Sequence, residues 1–142
     1  MNKDEIFQAI SKNPVFFLGT IDGDQPRVRG MLLYKANENG ILFHTASSKD
    51  LYKQVLKNPN AELCFNCNGT QIRITGKLEI IDDNNLKDEI CNDPSRKFLE
   101  QWKNDGSFKN FYDEFIVFSL KHGSIVTWTM EDNFAAKSPI LF

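Results

Sequence analysis

A chain of 142 residues, 41% apolar and 25% charged, has the size of one domain and the material for a real core, so residues 1–142 are read as a single globular unit. A formal net charge of −2, with Lys and Asp/Glu spread along the chain, argues against a broad basic surface and a nucleic-acid partner. No apolar run approaches the ~18 residues that span a bilayer. Residues 1–5 are polar with no apolar stretch behind them, and Cys64, Cys67 and Cys91 suit free thiols in a reducing compartment, so a cytoplasmic protein without a membrane partner is expected.

In chain order, Ile6, Phe7 and Ile10 sit at helical spacing within residues 4–12, and Asn13-Pro14 ends that helix. Residues 15–21 are rich in strand formers, Asp22-Gly23-Asp24 is a turn, and residues 26–35 give a second strand, so the two form a hairpin. A polar turn over 36–40 leads to a third strand over 41–46. Ser47 is placed as the N-cap of a helix, with Asp50 three residues on as in a capping box and Leu51, Tyr52, Val55 and Leu56 on its apolar face. Asn58-Pro59-Asn60 stops it. A fourth strand covers 62–67, and Asn68-Gly69 turns into a long fifth strand over 70–81. There Ile72, Ile74, Leu78 and Ile80 alternate with Arg73, Thr75, Lys77 and Glu79. Residues 82–104 read as two short helices broken near Asp93-Pro94, the first started by Asp82-Asp83. Residues 115–120 and 124–130 are the last strands, hinged at His122-Gly123, and the tail from Glu131 has no period. Short hairpins imply an antiparallel sheet. Seven strands with few helices predict a mainly β fold with flanking helices, closed or nearly closed into a barrel. Twelve Phe point to a tight β-rich core, a dimer seam or a flat aromatic ligand.

Two segments carry candidate chemistry. From Leu42 to Lys49 a strand runs into a helix whose first turn offers unpaired N–H groups, partial positive charge, hydroxyls and a cation. A lysine at that end is unfavourable for an empty helix and favourable beside a bound phosphate. The plain alternative is a Ser47 that only caps and a Lys49 in water. In the second strand Arg27, Arg29, Met31 and Leu33 share one side. An arginine among apolar neighbours needs a partner if buried, and its fork matches two phosphate oxygens; otherwise its stem simply covers apolar surface.

The segments Asn13-Pro14-Val15-Phe16-Phe17-Leu18-Gly19-Thr20, Gln25-Pro26-Arg27-Val28-Arg29-Gly30-Met31, Leu42-Phe43-His44-Thr45, Ser48-Lys49 and Asn58-Pro59, in that order, resemble the pyridoxamine 5′-phosphate oxidase-like FMN-binding split-barrel superfamily. The resemblance runs from about residue 3 to residue 81 and on toward residue 130. It implies an antiparallel split β-barrel that forms a homodimer and binds FMN. It further implies that Arg29, Ser48 and Lys49 hold the FMN phosphate, that Gly30, Met31, Leu32 and Leu33 line the flavin, that His44 and Thr45 contact it, and that Gln71 reaches it from the partner subunit. Residues 42–46 are similar to the nitroimidazole-resistance (Nim) proteins, which carry a His at the end of this strand close to the flavin. His44 would titrate near neutrality there, and it is either a catalytic proton donor during reduction of a substrate or a hydrogen-bonding group in the cleft.

The resemblance to true oxidases stops at Tyr34, which stands where they carry Lys, and at their C-terminal substrate-binding Arg and His, which find no match. Oxidation of pyridoxamine phosphate is therefore not expected. The function implied is an FMN-dependent oxidoreductase acting on a small-molecule substrate such as a nitroaromatic, with NAD(P)H as donor. The alternative is a non-catalytic flavin-binding module. Cys64 and Cys67 have redox spacing, but on a strand they point to opposite faces, and with two His in the chain no metal is expected. Trp102 and Trp128 are read as core or interface residues rather than ring-stacking ones.

Overall fold

The computed structural model describes residues 1–142. Helix α1 (Lys3–Lys12) is held by a capping box between Asn2 and Glu5, and it sends Ile6 and Ile10 into the core. The chain then forms β1 (Val15–Asp22), β2 (Gln25–Leu32), β3 (Lys35–Asn37), β4 (Gly40–Ala46), α2 (Asp50–Lys57), β5 (Asn60–Cys67), β6 (Thr70–Lys77) and β7 (Glu79–Ile81). It continues through α3 (Asn84–Asn92), a 3-10 turn (Pro94–Arg96), α4 (Lys97–Asn104), α5 (Phe111–Glu114), β8 (Phe115–Leu120), β9 (Gly123–Trp128) and β10 (Ile140–Leu141). No helix is long and apolar enough to cross a membrane.

Every strand pair is antiparallel. One sheet has six strands in the order β10-β9-β6-β5-β1-β2, and the other has four in the order β3-β4-β8-β7. Each keeps two free edges, so this is a split barrel rather than a closed one. The chain crosses between sheets at tight corners. The Leu33 N–H still bonds Pro14 O in the first sheet, whereas the Tyr34 N–H bonds Leu42 O in the second. The expected strand over 26–35 is divided there, and part of the expected turn over 36–40 is strand β3.

The expected strand over 70–81 is divided as well. The Leu78 N–H turns to Pro59 O, and β7 continues in the other sheet. Gly76 faces Gly123 at this corner. A Cβ on Gly76 would lie 2.7 Å from His122 O, and one on Gly123 would lie 2.3 Å from Thr75 O. Beyond the bend the alternation loses its phase relative to the core, and Ile80 is left 40% exposed. The tail that showed no period is tied down by β10, two residues paired with β9.

The barrel core gathers Phe16, Leu18, Phe43, Leu63, Phe65 and Phe118 with residues from α1 and α2. A second, smaller core lies under α3–α5 and contains Ile90, Leu99, Phe111, Phe115 and Val117. Strand β8 belongs to both: Ile116, Phe118 and Leu120 point into the barrel, Phe115 and Val117 into the helices. Burial on both faces explains why its sequence is apolar at every position but Ser119, whose hydroxyl donates to Asn39 O, instead of alternating. Cys64 and Cys67 do lie on opposite faces of β5, and all three cysteines are free thiols.

The Gly76–Gly123 contact leaves no room for a methyl group, so Gly123→Ala is expected to destabilise the fold by about 1–3 kcal/mol through overpacking. Urea unfolding followed by circular dichroism measures it. Gly30→Ala is the control: a Cβ there meets nothing within 4 Å, and its midpoint should be unchanged or higher.

Candidate functional site

The β1–β2 register sets Arg27 opposite Thr20, Arg29 opposite Leu18 and Met31 opposite Phe16, so these β2 side chains share the inward side of an edge strand. Arg29 is held firmly there. Its Nη1 donates to Thr20 Oγ1 at 2.7 Å and to Leu18 O at 3.3 Å, and its Nη2 donates to Gln54 Oε1 at 2.8 Å. The buried Thr20 hydroxyl donates to the same Gln54 oxygen at 2.7 Å. All these acceptors are neutral. The ion pairs of the chain are Arg27–Asp22, Lys35–Glu89 and Lys87–Asp82, and none includes Arg29. Burial, with Arg27 nearby, lowers its pKa. The guanidinium is thus fixed in place and uncompensated, a state that an anion relieves.

Beside Arg29 opens a cleft of ≈ 930 Å³ between β2 on one side and the end of β4 with α2 on the other. Arg27, Arg29, Lys49, Lys53 and Lys57 line it. The expected Ser47 cap does not form. The Ser47 N–H bonds Glu114 O, Lys49 takes the N-cap position of α2 without a side-chain bond, and the helix starts at Asp50. The Tyr52 N–H bonds Lys49 O, which leaves the Asp50 and Leu51 N–H groups of the first turn, with the partial positive charge of the helix, at the wall of the cleft.

A second chamber of ≈ 540 Å³ adjoins the first through Gly30, Met31, Thr45 and Lys49, which line both. Its walls are apolar: Leu32, Phe98, Leu99, Trp102, Phe108 and Phe115, together with His44 and Ser48. The Leu33–Pro14 bond sets the phase of the β1–β2 ladder, so odd-numbered residues of β2 bond β1. The backbone groups of Gly30 and Leu32 face the open edge. A glycine inside a strand costs about 0.5–1 kcal/mol, and packing within the chain does not demand one at position 30. A bare backbone at this rim leaves room for a ligand to approach closely.

His44 departs from expectation. Arg96 Nε donates to His44 Nε2 at 2.9 Å, so the imidazole is an acceptor at that atom and carries its proton on Nδ1. Arg96 is 2% exposed. It also donates to Leu33 O at 2.9 Å and to Ser95 Oγ at 3.0 Å, and the Ser95 hydroxyl donates to Asp93 Oδ1 at 2.6 Å. The His44 ring lies 5.0 Å from Phe115 and 6.3 Å from Phe98. Burial, then the Arg96 charge, push its pKa down to about 3. In place of the expected titration near neutrality, this environment favours the neutral imidazole, whose Nδ1–H is its remaining donor.

The structure gathers Arg29, Gly30, Met31, Leu32, His44, Thr45, Ser48 and Lys49 around the two chambers. Leu33 does not line them; it is buried in the barrel core, and its carbonyl accepts from Arg96. Gln71 stands outside them too, exposed on the outer face of the six-stranded sheet opposite Asn66 and Trp128. Sequence reasoning missed Gln54, Lys53, Arg96 and the aromatic wall of Phe98, Phe108 and Phe115, and it placed Trp102 in a core or seam. The aromatic residues follow the Asp93-Pro94 break, where no periodic pattern marks a wall. Arg96 is 52 residues from the histidine it contacts.

A histidine held at a pKa of about 3, against 6.5 when unperturbed, leaves the unfolded chain with the extra proton between those values. Its share of stability is complete above pH 6.5 and is lost as pH falls toward 3, with a slope of up to about 1.4 kcal/mol per pH unit. Urea midpoints from pH 7 to 4 should therefore fall less steeply in His44→Gln than in wild type. In Arg96→Met, NMR titration should show the His44 pKa raised.

The sequence model of the family described as pyridoxamine 5′-phosphate oxidase matches residues 3–123. No curated protein matches the chain. Among solved structures, a NimC/NimA family protein from Clostridium acetobutylicum is 23% identical over 98% of this chain and 92% of its own, with a TM-score of 0.74. A pyridoxamine 5′-phosphate oxidase-related, FMN binding protein from Nostoc punctiforme PCC 73102 is 16% identical over 99% of this chain and 95% of its own, with a TM-score of 0.68. PhzG from Burkholderia lata 383, in complex with tetrahydrophenazine-1-carboxylic acid, is 12% identical over 99% of this chain and 89% of its own, with a TM-score of 0.66. At these identities the likeness is one of fold, and it agrees with the two-sheet split barrel described above. With a family match across residues 3–123 and this architecture, the chain belongs to the pyridoxamine 5′-phosphate oxidase family.

Proposed function

We propose that the protein binds FMN in the joined chambers and acts, as a homodimer, as an oxidoreductase on a small molecule. One observation carries this reading: a single groove is cationic at one end, apolar and aromatic at the other, and narrow-walled at a glycine between them. FMN has the same polarity, a dianionic phosphate joined to a flat ring. Arg29, Ser48, Lys49 and the first turn of α2 hold the phosphate. The free backbone edge at Gly30 and Leu32 would supply hydrogen bonds to the polar rim of the ring. The Nδ1–H of His44 donates to an acceptor in the aromatic chamber, and Phe98, Trp102 and Phe108 keep water from that space. The ring, when bound, supplies the electron chemistry. NAD(P)H is the proposed donor and a nitroaromatic-type compound the proposed acceptor, because the chamber beside the ring is lined with aromatic side chains.

The homodimer is supported by the outer face of the six-stranded sheet. Val15, Phe17 and Val28 are 64%, 58% and 68% exposed there, and Phe17 sits opposite Gly30 at the rim of the groove. A second copy packed on this face would wall the open side of the site. Gln71 is on the same face, the placement required of a residue that serves the partner's flavin.

A second reading, a flavin-binding module without turnover, is favoured by the neutral His44 and by the lack of any carboxylate among the residues lining the aromatic chamber. An absorption spectrum separates the two. A yellow protein that bleaches with NAD(P)H and recovers with a nitroaromatic acceptor supports the oxidoreductase. A yellow protein that neither reagent alters supports the module, and a colourless protein after incubation with FMN rejects both. Arg29→Gln and Lys49→Gln should each weaken FMN binding by about 1–3 kcal/mol, as for bonds to a charged group; fluorescence titration measures it. Gly30→Val should abolish binding while leaving the unfolding midpoint intact. Phe17→Glu should yield monomers in analytical ultracentrifugation.

A further inference from the structure

The cationic end of the cleft is larger than one phosphate needs. Lys49, Lys53 and Lys57 follow one another at intervals of four residues, so they stand on one side of α2, each about 6 Å beyond the last along the axis. All three line the cleft across from Arg27 and Arg29. None of them is in an ion pair. Two carboxylates line the same space: Asp22, which is tied to Arg27 at 3.2 Å, and Asp50 in the first turn of α2. Like charges four residues apart weaken a helix, and a cation at its N-terminus weakens it further. A helix that carries both liabilities on the wall of a cleft gains from an anion more extended than a single phosphate.

We propose that Lys53 and Lys57 form a second phosphate subsite, so that the cleft accommodates a nucleotide carrying a further phosphoryl group beyond the one at Arg29 and Lys49. This rests on the reading that the first phosphate binds at Arg29 and Lys49. Two nucleotides offer the chemistry. One is the pyrophosphate form of the flavin, FAD, which would occupy the whole groove in place of FMN. The other is the nicotinamide dinucleotide donor, which would lay its pyrophosphate along Lys53 and Lys57 while FMN remains bound. Lysine suits the task, because a compact charge on a flexible stem adapts to phosphates whose spacing differs between the two.

The test uses the full chain at an ionic strength of about 0.15 M, where screening limits non-specific attraction. FMN, FAD and NADH are titrated into wild type and into Lys53→Gln/Lys57→Gln, with NADH added to FMN-loaded protein. The double variant should bind FMN within twofold of wild type and should lose at least tenfold in affinity for FAD or for NADH. Loss for FAD with displacement of FMN assigns the subsite to the flavin pyrophosphate. Loss for NADH on FMN-loaded protein assigns it to the donor. Unchanged affinity for both, or an equal loss that includes FMN, overturns the subsite. Failure of FMN to bind wild type overturns the flavin reading instead; FAD and NADH are then titrated into the free protein, where a tenfold loss in the double variant keeps the subsite and unchanged affinity overturns it.

Discussion

Everything at the candidate site is arranged around a guanidinium that cannot move and is not neutralised. Arg29 is clamped by the Thr20 hydroxyl, the Gln54 amide oxygen and a strand carbonyl. These bonds fix its direction without cancelling its charge. Desolvation of an unpaired charge is costly, and a protein tolerates it where the missing partner is supplied from outside. The clamp draws on β1, β2 and α2 together, so the barrel and the helix that follows β4 must be assembled before the anion site exists.

Arg96 poses the same problem in a different setting. It is buried where Arg29 is half-buried, again with neutral contacts at hand, and Asp93 reaches it only through the Ser95 hydroxyl. Its function is internal. By donating to His44 it fixes which imidazole nitrogen carries the proton, and by donating to Leu33 O it anchors the corner where the chain leaves the first sheet. The 3-10 turn that presents it begins with Asp93 capping Ser95, a strictly local device. A few residues of ordinary turn chemistry thus fix the tautomer of a group on a distant strand and add to the burial that keeps it neutral.

Much of this was legible in the sequence, for identifiable reasons. The hairpins, α1, α2 and the broken helical stretch carry local signals: caps, Asn-Pro stops, Asp-Gly and Asn-Gly turns, and clear periodicity. Strand alternation and the strand-to-helix junction, both local, were enough to put Arg29 and Lys49 on elements that line one cleft. What the sequence hid is set by corners and long-range packing. The division at Leu78 follows from two glycines meeting across a sheet, and periodicity alone carried the strand on through Ile80. Ser47 looked like a cap because its hydroxyl and Asp50 are correctly spaced, yet its backbone is committed to Glu114. The depressed basicity of His44 comes first from burial under the helices and then from the charge of Arg96 far along the chain, neither of which a local pattern announces.

The two-sided burial of β8 gives the aromatic chamber its character. Phe115 forms part of the chamber wall, while its neighbours Ile116 and Phe118 are locked into the barrel. The wall on that side cannot swing open as a lid without tearing a central strand from its sheet. Diversification of such a receptacle among relatives would therefore proceed by exchanging the side chains of α4 and the loop behind it, at Phe98, Trp102 and Phe108. The chamber is a socket of fixed outline whose lining is replaceable.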